Sequence, residues 1–458
     1  MELSDYLNGK KVVLLGFGRE GRSSYRYLRK HFPQQRIIIA DKNERLTDDS
    51  EFANDPLVDL HLGDSYLRGI NDCDIILKSP GIARTLLPTE IKAEVSSQTD
   101  MFLRFYAPQT IGITGTKGKS TTTHLLFDIL KRRFGNVIMA GNMGIPFFDI
   151  VEKIDEETLV VSELSSHQLE GITVAPHIGI LLNMFEEHLD YYASYEEYKQ
   201  AKMNIVRCQS AEDIFIYSLD NEDLKACVES FPVNSQRYAW SLEENVNAGC
   251  CFSNEWVVFR ENNCTEKLYN TDSPRILKGK HNLSNIMSAC LAARLLNVDA
   301  EVLSTGIGEF KGLEHRLEFV GTFEDISFYN DSISTIPQAA IEAVKALQLV
   351  DTLILGGFDR GIDYQPLYDM LKDTSVHNLV FVGEAGRRMY NELSQQTKIT
   401  QNILLENDYR TIVEWCFRYT AKGRICLLSP AASSYDAFKN FEERGTCFKK
   451  LVKEHQTI

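Results

Sequence analysis

Short apolar runs alternate with amphipathic stretches along almost the whole chain. KVVLLG (11–16), RIIIAD (36–41) and DIILKSPG (74–81) each read as a strand that ends in a turn or a polar residue, with a helical stretch at 20–32. Strand, glycine turn, helix, strand is the order of a βαβ unit. A second block opens with TIGIT (110–114), a glycine loop, and a helix carrying Leu125, Leu126, Ile129 and Leu130 on one face. Strands are predicted at TLVVSEL (158–164), HIGILLN (177–183) and DIFIYSL (213–219), then a small antiparallel insert within the polar stretch 241–275 and a helix at 281–296. The third block repeats strand and helix through ISFYND (326–331), TLILGG (352–357), NLVFVG (378–383) and RICLLS (424–429). Continuous Val/Ile/Leu runs suit parallel strands covered on both faces. The pattern therefore predicts three α/β blocks, with loop boundaries near 98 and 314.

Composition narrows the class. The 458 residues are 43% hydrophobic and 25% charged, an ordinary globular balance. A net charge of −15, from 64 acidic and 49 basic residues, argues against broad nucleic-acid or membrane binding but leaves room for a small basic pocket. Ten cysteines are scattered without a C-x-x-C, so neither a zinc ribbon nor a redox pair is suggested, and a reducing compartment is expected. The first residues lack the layout of a signal peptide. No apolar stretch approaches the roughly 18 residues of a membrane span. A cytoplasmic protein is expected.

Two glycine loops carry candidate chemistry. Gly16, Gly18 and Gly21 form G-x-G-x-x-G between strand and helix, and Asp41 ends the next strand. Small residues let backbone N–H groups approach a diphosphate at a helix N-terminus, and the acid suits ribose hydroxyls. Taken alone, this loop suggests a dinucleotide, or simply a tight turn. The second loop reads Gly115-Thr116-Lys117-Gly118-Lys119-Ser120-Thr121. It is shorter than a strict Walker A, since Ile113 stands where that motif needs its first glycine. Backbone N–H groups can still cradle phosphates, Lys119 can neutralise developing charge, and Ser120 or Thr121 can reach magnesium.

Together with this loop, a series of short blocks resembles the Mur ligase family, in that family's order. They include SPGI (79–82), GNMGIP (141–146), ELSSHQLE (163–170), LNMFEEHLD (182–190), YKQAK (198–202), GKHNLSN (279–285), GLEHRLE (312–318), YNDS (329–332) and LLSPAASSYDAFKNFEERG (427–445). The last block and the short first domain are most similar to the glutamate-adding members. The resemblance implies an ATP-dependent ligase of peptidoglycan synthesis in three domains. These are a Rossmann-like UDP-substrate domain (1–98), a central P-loop ATPase-type domain with a parallel sheet (99–313), and a Rossmann-like C-terminal glutamate domain (314–458). The implied partners are UDP-N-acetylmuramoyl-L-alanine, ATP and glutamate, the D form by family default, with no nucleic acid and no membrane. A monomer is expected.

The same resemblance implies roles for single residues. Gly16, Gly18, Gly21, Asp41, Ser79, Gly81 and Asn142 would contact the UDP-sugar, so that the first loop holds UDP and no dinucleotide. ATP would be met by 115–121 together with Asn285, Arg316 and Asp331. Magnesium would sit with Ser120 and Glu163, and a second ion with His188. Lys202 would carry a carbamate, an anionic oxygen ligand that requires an unprotonated amine and hence a depressed pKa. Lys119, Glu163, His188 and Lys202 would be catalytic, while Thr335, Arg360, Ser434 and Phe441 would hold the glutamate, Arg360 through a bidentate guanidinium.

Three departures stand out. Where glutamate-adding members usually read N-D-S-K-A-T-N, this chain has Ile333 and Ile336 in place of the lysine and final asparagine. His167 replaces a phenylalanine more often seen in the E-L-S-S block. The ATPase parts are intact, and the changes fall on the amino-acid site. Three other readings compete with a cell-wall ligase. One is another specificity in the same family, including folate polyglutamation. A second is a dinucleotide-dependent oxidoreductase, which leaves the second loop and its acid unexplained. A third is a non-catalytic nucleotide-binding protein, against which the retained Lys119, Glu163, His188 and Lys202 argue.

Overall fold

The computed structural model describes all residues except Met1, Gly69, Thr89, 143–144, Asp190, 244–245, Lys278, Asp373, 397–398 and 456–458. Met143, Gly144 and Asp190, in the GNMGIP and LNMFEEHLD blocks, thus lie outside the described residues. The fold is mixed α/β, with predominantly parallel sheets in two compact units, residues 1–310 and 311–458.

The first unit holds two sheets. In one, β1 (Val12–Leu15), β2 (Ile37–Asp41), β3 (Val58–Leu62), β4 (Ile75–Lys78) and β5 (Glu94–Ser96) are all parallel in the order β3-β2-β1-β4-β5. Every residue of β1 is buried, as a central strand covered on both faces requires. The helix Arg19–His31 turns Gly21, Ser24, Tyr25 and Leu28 inward at i, i+3, i+4, i+7 spacing and ends in Arg29, Lys30 and His31, where cations suit the helix dipole.

The other sheet has the order β14-β13-β12-β11-β10-β9-β6-β8-β7. Its strands are β6 (Thr110–Thr114), β7 (Val137–Gly141), β8 (Leu159–Glu163), β9 (Ile178–Leu181), β10 (Ile214–Ser218), β11 (Gln236–Ser241), β12 (Gly249–Ser253), β13 (Trp256–Glu261) and β14 (Cys264–Asn270). The expected insert is antiparallel among β12, β13 and β14, but it is no separate module. Its first strand pairs in parallel with β11 and continues the main sheet. The helix Lys119–Arg133 buries Leu125, Leu126, Ile129 and Leu130.

The second unit contains β15 (Glu318–Phe323), β16 (Ile326–Asn330), β17 (Val350–Gly356), β18 (Asn378–Val382), β19 (Asn402–Leu405) and β20 (Ile425–Leu428), ordered β15-β16-β20-β17-β18-β19. Only the edge strand β15 is antiparallel. Two apolar layers cover the faces of this sheet. Leu353, Leu355, Leu379 and Leu427 belong to one, and Ile354, Val380, Cys426 and Leu428 to the other. Alternation along each strand thus divides its side chains between the layers.

Among the described residues, no helix is long and apolar enough to cross a membrane, and all ten cysteines are free thiols.

Candidate active site

Open parallel sheets bind ligands beyond the carboxyl ends of their strands. In the first sheet that end gathers Gly16, Gly18, Gly21, Asp41 and Ser79. Gly16 has a φ of +90°, and a side chain on Gly21 would run into the Gly16 carbonyl oxygen, so both positions demand glycine. The Asp41 carboxylate accepts the Phe17 N–H at 2.7 Å, and the Ser79 hydroxyl donates to the Gly16 carbonyl at 3.0 Å. Gly81 faces open space. Asn142 comes from the other sheet, just past β7. Its amide donates to Glu163 Oε1 at 2.7 Å, and the Arg19 guanidinium donates to its carbonyl at 2.7 Å, which brings Asn142 to the first loop.

The phosphate loop runs from the end of β6 into the helix Lys119–Arg133. Gly115 and Gly118 take φ of +154° and +88°. A side chain at Gly118 would strike the Asn285 amide oxygen, so Asn285 stands directly against the loop. Asn183 braces the loop by accepting the Lys117 N–H at 2.8 Å on its side chain and the Thr116 N–H at 3.0 Å on its carbonyl. Ser120 is buried, and Thr121 is half-buried beside it. The Lys119 ammonium donates to the Gly115 and Thr116 carbonyls at 2.9 and 3.1 Å.

Lys202 lies on the helix Tyr195–Arg207, which starts at the Ser194 cap. Tyr198, Ala201, Lys202 and Ile205 form its inward stripe, so helical geometry places a lysine where an apolar residue is usual. The side chain is 1% exposed. Its ammonium donates to the Gly115 carbonyl at 3.0 Å and lies 4.8 Å from the centre of the Tyr198 ring. Burial first, and then the Lys119 charge, push its pKa well below that of an ordinary lysine, against the pull of Glu187 and Glu163.

Glu163 ends β8 and is 1% exposed. One oxygen takes the Asn142 amide, while the other is buried and lacks a hydrogen-bond partner. An acceptor stranded in this way is costly unless a cation or donor meets it. The Ser120 hydroxyl at the start of the helix Lys119–Arg133 is another hard oxygen, and such oxygens suit magnesium, which commonly completes its shell with water and phosphate. Among the described residues, no group of three or more His, Cys, Asp or Glu could hold a metal alone.

His188 takes a left-handed backbone, φ +60°, in the loop after β9. That conformation is uncommon outside glycine, though histidine adopts it more readily than most residues. Its ring is 4.9 Å from that of His167 and 6.0 Å from that of Tyr198. Burial and the nearby His188 hold the His167 pKa down to about 4, so His167 is a neutral imidazole at physiological pH.

The remaining residues belong to the second unit. Asp331, just past β16, accepts hydroxyl bonds from Ser334 at 2.6 Å and Ser429 at 2.7 Å. Burial nevertheless raises its pKa above the ordinary aspartate value. The Arg316 N–H is bonded to the Leu313 carbonyl, and the Arg316 charge opposes the Asp331 shift. Arg360 follows β17, and its guanidinium donates to the Thr335 carbonyl at 2.9 Å. The Phe441 carbonyl accepts the Ser332 hydroxyl at 2.8 Å, and Ser434 is buried past β20. Asp331, Thr335, Arg360 and Ser434 thus all lie beyond the carboxyl ends of this sheet's strands. Ile336 is 47% exposed.

Sequence reasoning passed over Arg444. It is 1% exposed, and its guanidinium donates to the Ser332 hydroxyl and carbonyl and to the Ala432 and Ser433 carbonyls at 2.8–3.2 Å. It also passed over Lys78, Glu170 and Tyr191, which meet between the two sheets of the first unit. The E-R-G lettering hinted at Arg444; the other three carried no local signal.

The chain matches the Mur ligase middle domain over residues 113–293. It is 34% identical to the UDP-N-acetylmuramoylalanine–D-glutamate ligase of Geotalea uraniireducens, over 98% of each chain. It is 31% identical to the enzyme of the same name from Clostridium botulinum strain Loch Maree, again over 98% of both. Among solved structures, its fold is similar to that of a MurF ligase from Thermotoga maritima in complex with ADP. The TM-score is 0.53 and the identity 16%, over 99% of this chain and 97% of that one. A pseudomurein peptide ligase type C from Methanothermus fervidus has a TM-score of 0.52 at 17% identity, over 98% and 100%.

Proposed function

The chain belongs to the Mur ligase family, and we propose that it is the ATP-dependent ligase that joins glutamate to UDP-N-acetylmuramoyl-L-alanine in peptidoglycan synthesis. One observation carries the reading. Lys119 and the buried Lys202 converge on the Gly115 carbonyl of a phosphate loop, with the charge of Glu163 acting on Lys202, in a chain that is about a third identical end to end to ligases of that name.

Amide formation from a free carboxylate is uphill, so the carboxylate must first be activated. Its oxygen attacks the γ-phosphorus of ATP, ADP departs, and an acyl phosphate remains. The glutamate amine then adds to the acyl carbon, loses a proton, and expels phosphate. Phosphoryl transfer depends chiefly on positioning and charge neutralisation. The loop 115–121 cradles the phosphates, Lys119 neutralises their charge, and Asn285 stands against the loop. Ser120 and the second oxygen of Glu163 would hold magnesium, and His188 a second ion; the metal would supply further charge neutralisation. The depressed pKa of Lys202 leaves a larger fraction of its amine neutral, and that amine takes up CO₂ as a carbamate with release of a proton. This turns a cation beside the loop into an anionic oxygen donor.

Gly16, Gly18, Gly21, Asp41, Ser79 and Gly81 hold the UDP-sugar within a first domain, 1–98, and Asn142 meets it from the ATPase domain. Thr335, Arg360, Ser434 and Phe441 hold glutamate within a third, 314–458, with the ATPase domain, 99–313, between them in sequence. The reaction takes place in the cytoplasm. The test is ADP release by the purified chain. It should require both UDP-N-acetylmuramoyl-L-alanine and glutamate, and ADP formed at the same rate without either one would overturn the assignment.

A further inference from the structure

Three side chains tie the loop after β4 to the loop that carries His188. Lys78, the last residue of β4, is 4% exposed, and its ammonium donates to the Ile82 carbonyl at 2.7 Å. It also lies 3.3 Å from the Glu170 carboxylate. Tyr191 reaches the same place from the opposite side. Its hydroxyl donates to that carboxylate at 2.9 Å and lies 3.2 Å from both the Pro80 and Ile82 carbonyls. The Tyr191 N–H is bonded to the His188 carbonyl at 3.0 Å, and the His167 ring stands between the two side chains, 4.2 Å from Tyr191 and 4.9 Å from His188. A continuous set of contacts therefore leads from Ser79–Ile82 to His188.

A buried ion pair contributes little net stability, because desolvation offsets its attraction, and apolar residues of similar size often serve as well. Its geometric specificity is the better account here: Lys78 and Tyr191 are both directed at one carboxylate and at the carbonyls of one loop. We propose that Lys78, Glu170 and Tyr191 are positioning residues that set the 79–82 loop against the His188 loop. The UDP end of the sugar substrate is thereby held in register with the place where its carboxylate reacts. The inference rests on the reading of 79–82 as part of the UDP-substrate site.

The test uses full-length Tyr191→Phe, which keeps the ring against His167 and loses only the hydroxyl, together with Lys78→Met and Lys78→Arg. Tyr191→Phe and Lys78→Met should raise KM for UDP-N-acetylmuramoyl-L-alanine about tenfold while leaving KM for ATP and glutamate within about twofold, and Lys78→Arg should restore most of the loss. Melting temperatures should stay close to wild type for Tyr191→Phe. Equal changes in all three KM values, or a lowered melting temperature with unchanged KM, would make the cluster merely structural and overturn the proposal. Saturation of the wild type by the UDP substrate is measured in the same series. If the wild type does not saturate, the functional reading fails and takes this inference with it; if it saturates and the variants match it, the inference fails alone.

Discussion

Lys119 and Lys202, which stand 83 positions apart in the sequence, donate to the same acceptor, the Gly115 carbonyl oxygen, at 2.9 and 3.0 Å. Two ammonium groups held this close favour loss of a proton from the more deeply buried one. Lys119 stands half-buried on the phosphate loop and Lys202 is enclosed, so the burden falls on Lys202.

Lys119→Ala should lower kcat by about 10²–10³-fold or more if, as proposed, its charge acts on the transferred phosphoryl group. Circular dichroism and melting temperature should be near those of the wild type. Turnover within tenfold of wild type would remove the phosphate loop from the chemistry.

Lys202→Ala should be almost inactive, and short-chain carboxylates such as acetate should restore part of the rate by supplying the missing oxygens. The neutral amine is the form that reacts with CO₂. A lowered pKa means this form is present at neutral pH, gains as pH rises through the lowered value, and is lost below it. Wild-type enzyme in CO₂-depleted buffer should therefore regain activity on addition of bicarbonate, and more fully at pH 8 than at pH 6. A mutant that is fully active without supplement would exclude Lys202 from the mechanism.

The first glycine loop should prefer UDP to a dinucleotide. Only a ligand of the native state raises the melting temperature, so UDP-N-acetylmuramoyl-L-alanine should stabilise the protein and NAD should do little. The reverse order would favour an oxidoreductase.

The enantiomer of glutamate tests the proposed amino-acid site. Ile333 and Ile336 stand where the glutamate-adding members usually carry a lysine and an asparagine, and the exposed Ile336 precedes the helix Pro337–Leu347. A chirality-sensitive grip depends on where the two carboxylates find partners, and each unpaired polar contact costs about 1–3 kcal/mol. We expect a weaker D preference than the family default, with L-glutamate accepted. Side-by-side kinetics decide this: strict D specificity would show that the two isoleucines are local repacking.

The central strands β1, β6 and β17 were legible because they are buried along their whole length and each carries an apolar stretch, VVLL, IGI and LIL. Strands β3 and β19 escaped because edge positions leave VDLHL half-exposed and mixed in polarity, and NILL short and exposed at both ends. The phosphate loop was legible for a different reason: its glycines, lysine and hydroxyls are adjacent in sequence. The burial of Lys202 was not, since a lysine in an amphipathic helix reads as solvent-facing until its neighbours Tyr198 and Ile205 are seen to point inward. Nor was the bond from Asn142 to Glu163, which exists only because β7 and β8 lie side by side in parallel.

Arg444 fixes two loops at the carboxyl end of the last sheet with its own hydrogen bonds, and Gly357 passes so close that any side chain there would meet the Ser433 carbonyl. These walls are therefore set when the unit folds. If the proposed glutamate site lies there, an arriving amino acid would lose its own freedom without having to immobilise the protein as well, and more of its contact energy would be left to appear as affinity. The same rigidity would limit tolerance: a site that does not reshape itself discriminates by shape, and changing its preference would require replacing the residues that line it.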